Sequence, residues 1–285
     1  MKTPATIIAF ILLPLMALSQ NVIYTGNDSI SIERILREES GKEYPSSGEL
    51  TIAIAERFIG CGYVAGTLEN GKEEPLFIST TRLDCSTFVE LVTAIAISIE
   101  KGDTVFESVC SNLERIRYRN GERKGYDSRL HYTSWWIEDN ISKGIIKEIT
   151  GQCKHEYRTL NLNFMSTHPD KYPMLEGDTA MQNKIEELEI PYRGIRSSYI
   201  PKQLLDKKNE ISHIANGDII ALVTTVAGLD IAHVGFAYWK NGKLHMLHAS
   251  SGRGKVIKDQ TTLFDYMKNR SKQPGIRVMR RINQK

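Results

Sequence analysis

His233-Val234-Gly235-Phe236-Ala237-Tyr238-Trp239-Lys240-Asn241-Gly242-Lys243-Leu244-His245-Met246-Leu247-His248-Ala249-Ser250 reads as a β-hairpin. Asn-Gly between two alternating runs is the strongest short hairpin signal, because both turn positions demand positive φ. A two-residue turn pairs Lys240 with Lys243. It then sets His233 opposite Ser250 and His248 opposite Gly235. Opposed residues share a face, and faces alternate along a strand. One face is therefore expected to carry His233, Gly235, Ala237, Met246, His248 and Ser250, and the other Val234, Phe236, Tyr238, His245 and Leu247. The imidazoles of His233 and His248 become diagonal neighbours, with Cα atoms about 7–8 Å apart. The small Gly235 and Ala237 leave room on their face for a packed helix.

Around this hairpin the pattern extends in both directions. Ile219 to Thr224 suits a buried strand, Lys255 to Lys258 and Arg277 to Ile282 suit further strands, and a helix is expected near Leu263 to Met267. Upstream, an amphipathic stripe starts at Ile30, Ile32, Ile35 and Leu36, pauses at Ser46-Ser47-Gly48 and resumes from Leu50 to Ile59. Gly60-Cys61-Gly62-Tyr63 breaks it, and Asn70-Gly71 signals a turn in a polar loop. Helices are expected from Asp84 to about Glu100 and over Val105 to Tyr118. Between residues 119 and 210 a helix over Tyr132 to Asp139 and a strand over Ile145 to Ile149 are expected, with loops from His168 to Pro173 and from Pro191 to Pro201. Helices followed by an antiparallel meander make an α+β pattern. Residues 20–285 are read as one domain, with an insertion at about 103–210.

Asp84-Cys85-Ser86-Thr87-Phe88-Val89-Glu90 supplies the chemistry. Phe88, Val92, Ile95 and Ile99 form a core-facing stripe, and Asp84 is a good N-cap. Cys85 then sits where free backbone N–H groups and the positive end of the helix dipole converge, which favours the nucleophilic thiolate. A thiol at a helix head, a base at His233 and an orienting group at His248 would satisfy the logic of a catalytic triad if that helix packs over the histidine face. Alone, a buried cysteine is usually an apolar core residue and a strand histidine usually structural. The conjunction carries the reading. His131, His155, His168 and His213 lack such an argument and are read as surface or structural. Trp135 and Trp136 read first as packing residues, with Trp135 the candidate to line a sugar-binding groove.

Composition narrows the class. The formal charge of +3 over 285 residues makes no electrostatic case for nucleic acid. Lys2, the apolar run Ile7 to Leu18 and the small residues Ala17 and Ser19 read as a cleaved signal peptide of residues 1–19, too short for a stable membrane span. Export is therefore expected, to the periplasm or beyond. Of the four cysteines, Cys110 and Cys153 are the expected disulfide if Cys85 is a working thiol. No Cys-x-x-Cys spacing points to zinc or redox chemistry, and neither metal nor cofactor is expected.

Taken in order, Gly62-Tyr63-Val64-Ala65-Gly66-Thr67, Asp84-Cys85-Ser86, His233-Val234-Gly235 and His248-Ala249-Ser250 resemble the NlpC-type, papain-like cysteine hydrolases of bacterial cell walls. The large middle segment, Ile200-Pro201-Lys202 and Gly228-Leu229-Asp230-Ile231-Ala232-His233 are similar to the branch described as N-acetylmuramoyl-L-alanine amidase-like. The resemblance implies a papain-like core acting on peptidoglycan or muropeptides. Cys85 would be the nucleophile, His233 the base and His248 the third member. Tyr63, Asp84, Ser86 and Ser250 would be substrate-site residues. Cys61 stands where the family commonly has a small residue or proline, which implies a second thiol near the site. Two rival readings are a γ-D-glutamyl-diamino-acid endopeptidase using the same triad and a non-catalytic wall-binding protein. Acyl transfer would share the same acyl-enzyme.

Overall fold

The computed structural model describes residues 21–69, 71 and 73–284. The expected signal peptide and Asn70 of the expected Asn70-Gly71 turn lie outside the described residues. The chain begins with β1 (Val22–Ile23), α1 (Gly26–Ser40) and α2 (Ser47–Glu56). Thr25 and Asp28 form a capping box at the head of α1, and the Ser46 hydroxyl accepts from Glu49 N–H at the head of α2. Short strands β2 (Gly62–Tyr63), β3 (Leu76–Phe77) and β4 (Arg82–Leu83) lead into α3 (Cys85–Glu100) and α4 (Phe106–Arg117). Helix α3 buries nearly its whole circumference, because α1, α2, α4 and the sheet surround it.

The middle segment holds α5 (Thr133–Ser142), β5 (Ile146–Glu148), β6 (Glu156–Asn161), α6 (Phe164–Thr167), α7 (Thr179–Glu189) and β7 (Arg193–Pro201). Then come β8 (Ile219–Val223), β9 (Ile231–Lys240), β10 (Lys243–Ser250), β11 (Lys255–Lys258), α8 (Leu263–Met267) and β12 (Gly275–Arg281). One sheet runs in the order β4-β2-β11-β10-β9-β8-β12-β7-β6, with β5 also paired to β12. It is mixed: β2 and β4 are parallel, and the other pairs antiparallel. The architecture is α+β.

The hairpin forms as its sequence demands. Asn241 and Gly242 adopt φ of 51° and 72°, and Lys243 pairs with Lys240. Its two faces feed two different cores. Val234, Phe236, Leu247 and Ala249 join the helical layer, where Phe88 of α3 meets Phe236 at 5.6 Å between ring centroids. Ala237, Leu244 and Met246 join the opposite layer with Leu263 and Met267 of α8. Helix α3 therefore packs on the face opposite to the one expected from Gly235 and Ala237. The space at Gly235 serves the sheet itself: a Cβ there would lie 2.8 Å from both His248 Cβ and Met246 Cγ. Gly235→Ala is accordingly expected to destabilise the protein by about 1–3 kcal/mol through overpacking and to push His248 out of line. Chemical denaturation together with activity checks this, and a neutral substitution would contradict it.

Two further expectations fail. The stretch from Pro191 to Pro201 is not a loop: residues 193–201 form β7, paired with β6 as far as Tyr199 and with β12 at Ile200 and Pro201. Half-exposed side chains over most of β7 blur the alternation that marks a strand, and its prolines lie at or beyond its ends, where they cost no ladder bond. Cys110 and Cys153 do not form a disulfide. All four cysteines are free, and these two are buried in the cores on opposite faces of the sheet.

Candidate active site

Asp84 caps α3 as expected. Its Oδ1 accepts from Thr87 N–H at 2.8 Å, and the Thr87 hydroxyl accepts from Asp84 N–H at 2.9 Å. The half-buried Cys85 at the first helical position is met by the backbone at Val234 and by the hydroxyl and backbone of Ser86, contacts that favour its thiolate. Val234 follows His233 in β9, and Cys85, Ser86 and His233 line one cavity of about 290 Å³. The β8–β9 register shifts between Leu222, which pairs with His233, and Val223, which pairs with Ile231, so Ala232 is an extra residue. A bulge bends its strand and re-aims its side chains, which accounts for a histidine reaching a cavity at the head of a helix on the other face.

The two imidazoles meet. His233 Nε2 lies 2.6 Å from His248 Nδ1, with the rings edge to face at 4.8 Å. His248 is fully buried, and Tyr266 of α8 stands 5.7 Å from it. Asp259, which the sequence did not single out, completes the line: its Oδ2 is 3.6 Å from His248 Nε2, a nitrogen with no hydrogen-bond partner among the described residues. The Asp259 charge favours one arrangement of the protons. With Nε2–H of His248 directed at the carboxylate, His248 Nδ1 accepts from His233 Nε2–H, and His233 Nδ1 keeps a lone pair for the cavity.

Electrostatics departs from the expectation of a preformed thiolate. Burial, then the charge of Asp84, pushes the Cys85 thiol up to about 11 despite the amides around it. Burial, followed by His248 and Arg270, brings His233 down to about 3. His248 is also lowered by burial, and Asp259 opposes that shift. Both shifts favour a neutral thiol and a neutral imidazole near neutral pH.

The remaining expected residues separate. Asp84 and Ser86 line the cavity, whereas Tyr63, Trp135 and Ser250 are not part of its wall. Tyr63 feels the charges of Cys85 and Asp84, and burial first of all raises its hydroxyl to about 12, so it stays a donor. Trp135 is fully buried, packed edge-on against Tyr132 at 4.8 Å, while its neighbour Trp136 lines the cavity. Consecutive helical residues point about 100° apart, and in α5 it is Trp136 that is turned to the cavity. Ser250 accepts from Arg253 N–H and closes the turn after β10. Cys61 packs against the helical core, outside the cavity wall.

Also in the cavity's wall, Arg117 pairs with Glu90 at 2.7 Å and Arg129 with Glu69 at 2.7 Å. Asp230 accepts from Ser134 N–H at 2.5 Å and Ile231 N–H at 2.8 Å, tying the head of α5 to β9. His131, read from sequence as structural, lines the cavity too.

The chain and its fold are similar to known proteins. A family model described as AmiA-like, N-acetylmuramoyl-L-alanine amidase-like, matches residues 53–276. Among solved structures, an N-acetylmuramoyl-L-alanine amidase from Bacteroides uniformis is similar at 34% identity and a TM-score of 0.79, covering 83% of this chain and 99% of that one. A Bacteroides fragilis protein provisionally called a xylanase shares 38% identity at a TM-score of 0.76, over 80% and 99% of the two chains. A Legionella pneumophila protein of the DUF1460 family shares 25% identity at a TM-score of 0.68, over 90% and 95%. No curated protein matches the chain in sequence.

Proposed function

This chain belongs to the AmiA-like, N-acetylmuramoyl-L-alanine amidase-like family, and on that premise we propose that it is a cysteine-dependent amidase with a papain-like, NlpC-type arrangement, cleaving the bond between N-acetylmuramic acid and L-alanine in cell-wall fragments. The observation that supports the reading is that Cys85 and His233 line one cavity and that His233 leads on to His248 and Asp259. Sγ–H gives its proton to His233 Nδ1 as sulfur bonds to the lactyl carbonyl carbon. The oxyanion is met by Cys85 N–H, with Tyr63 OH as a second donor nearby. As the C–N bond breaks, the His233 imidazolium protonates the departing alanine nitrogen, leaving a thioester. Water, deprotonated by His233, then releases the muramic carboxylate and restores the thiol. In each half-reaction His248 Nδ1 accepts from His233 Nε2–H and so keeps the ring oriented, with Asp259 behind His248. The steps call on no metal or cofactor. The leader-like residues 1–19 support action outside the cytoplasm.

Hydrolysis of a sugar chain finds less support here. It needs two carboxyl groups free to flank the bond, and the cavity's carboxylates are engaged: Asp84 with Thr87, Glu90 with Arg117, Glu69 with Arg129, Asp230 with two backbone amides. Digestion of defined muropeptides followed by mass spectrometry tests the proposal. The expected product is an intact stem peptide beginning with L-alanine. Release of a peptide beginning at the diamino acid, with L-alanyl-D-glutamate kept on the muramic acid, would instead identify the endopeptidase, and unchanged muropeptide a binding protein.

A further inference from the structure

His131 sits in the wall of the cavity that holds Cys85 and His233. Its Nε2 lies 2.8 Å from the Tyr126 carbonyl oxygen. A carbonyl can only accept, so Nε2 carries the proton. The Tyr126 ring, 4.3 Å away between centroids, holds the imidazole in place. The other nitrogen, Nδ1, has no partner among the described residues and is not among the sealed, unpartnered polar atoms. His131 thus keeps an oriented, unclaimed lone pair and lines the reaction cavity.

We propose that His131 Nδ1 accepts a hydrogen bond from a sugar hydroxyl on the muramic acid side of the scissile amide, and so selects the glycan part of the substrate. The inference rests on the amidase reading above. Two observations choose a hydroxyl of the sugar over the stem peptide, and a third keeps the nitrogen able to accept it. The cavity wall carries four carboxylates (Glu69, Asp84, Glu90 and Asp230) against two guanidinium groups (Arg117 and Arg129), a formal balance of −2. A stem peptide brings further carboxylates into that field, whereas the sugar, its lactyl group tied up as the amide, brings none. Trp136, five residues on, lines the same cavity and offers an aromatic surface to the C–H face of a sugar ring. Finally, burial, with Arg129 and Arg119 beside it, holds the His131 ring well below its ordinary value, so Nδ1 stays an acceptor throughout the neutral range.

The full chain carrying Cys85→Ala, labelled with ¹⁵N-histidine, provides the test, with the His131 signals assigned by their loss in a His131→Gln double variant. Free protein should show the Nε2–H tautomer. N-acetylmuramoyl-L-alanine should shift the Nδ1 signal as a hydrogen bond forms, and the free stem tripeptide should not. A shift with the tripeptide alone, or with neither ligand, would overturn the assignment, even if Cys85-dependent turnover were intact. In the otherwise native enzyme, His131→Gln should raise KM about three- to tenfold, the worth of one neutral hydrogen bond, with kcat within a factor of about three. A fall in kcat at constant KM would count against it, because a group that merely supports the triad would act there.

Discussion

Alanine at position 85 is expected to cut kcat/KM on a muropeptide by at least about 10⁴-fold, in line with losses seen when a nucleophile is removed from a unit that acts together. Folding should be nearly unaffected, since the change deletes one half-buried sulfur at the end of a helix whose cap, Asp84 with Thr87, is untouched. Thermal unfolding beside steady-state kinetics separates the two effects. The pH behaviour is equally specific. With the thiol pushed up to about 11 and His233 down to about 3, the active neutral pair persists between those limits. Turnover should therefore be flat from about pH 5 to pH 9, with no inflection near the ordinary histidine value of about 6.5. Alkylation of Cys85 by iodoacetamide should be slow at pH 7 and rise about tenfold per pH unit, because the thiolate fraction grows that way below the pKa. Rapid, pH-independent alkylation around neutrality would show a preformed ion pair and sink this account of the resting state.

What could be read before folding, and what could not, follows from the range of each signal. The hairpin was legible because Asn241-Gly242 fixes its own register within a few residues, and that register alone brings His233 beside His248. The cap on α3 was legible because Asp84 and Thr87 are three residues apart. Asp259 was not: it reaches His248 only after β10 has turned into β11. His131 depends on a carbonyl at Tyr126 and on a cavity assembled from distant segments, so no spacing announces it. The choice between Trp135 and Trp136 turns on the rotation of α5, which Asp230 sets from 96 residues away through its bond to Ser134. The side of the sheet covered by α3 is not legible from small residues, because Gly235, which suggests room for a helix, makes room for Met246 and His248.

Methionine in place of Arg117 is expected to cost about 3–5 kcal/mol of stability, the usual penalty for stranding one member of a buried ion pair. Arg117 is 2% exposed and Glu90 6%. The guanidinium also donates to the Phe77 carbonyl at 2.8 Å, tying α4 to β3. Burial already raises the Glu90 carboxyl, and Arg117 is the main force opposing that shift. Without Arg117 the carboxyl rises further and takes up a proton that the unfolded chain, at about 4.3, does not hold. The folded variant then binds more protons than its unfolded form above that value, so its stability falls as pH rises. The deficit relative to wild type should be smaller at pH 5 than at pH 8. Adding Glu90→Gln removes the stranded charge and should recover most of the loss, since a pair replaced on both sides is often close to neutral. Denaturation of the wild type, both single variants and the double variant at the two pH values closes the cycle. Equal losses in Arg117→Met and the double variant, or a deficit independent of pH, would mean that the Phe77 contact rather than the ion pair holds this wall. In the recovered double variant, turnover should return with stability: Glu90 lies one helical turn beyond Ser86, and its carboxylate takes no part in the proton path from Cys85 to His233.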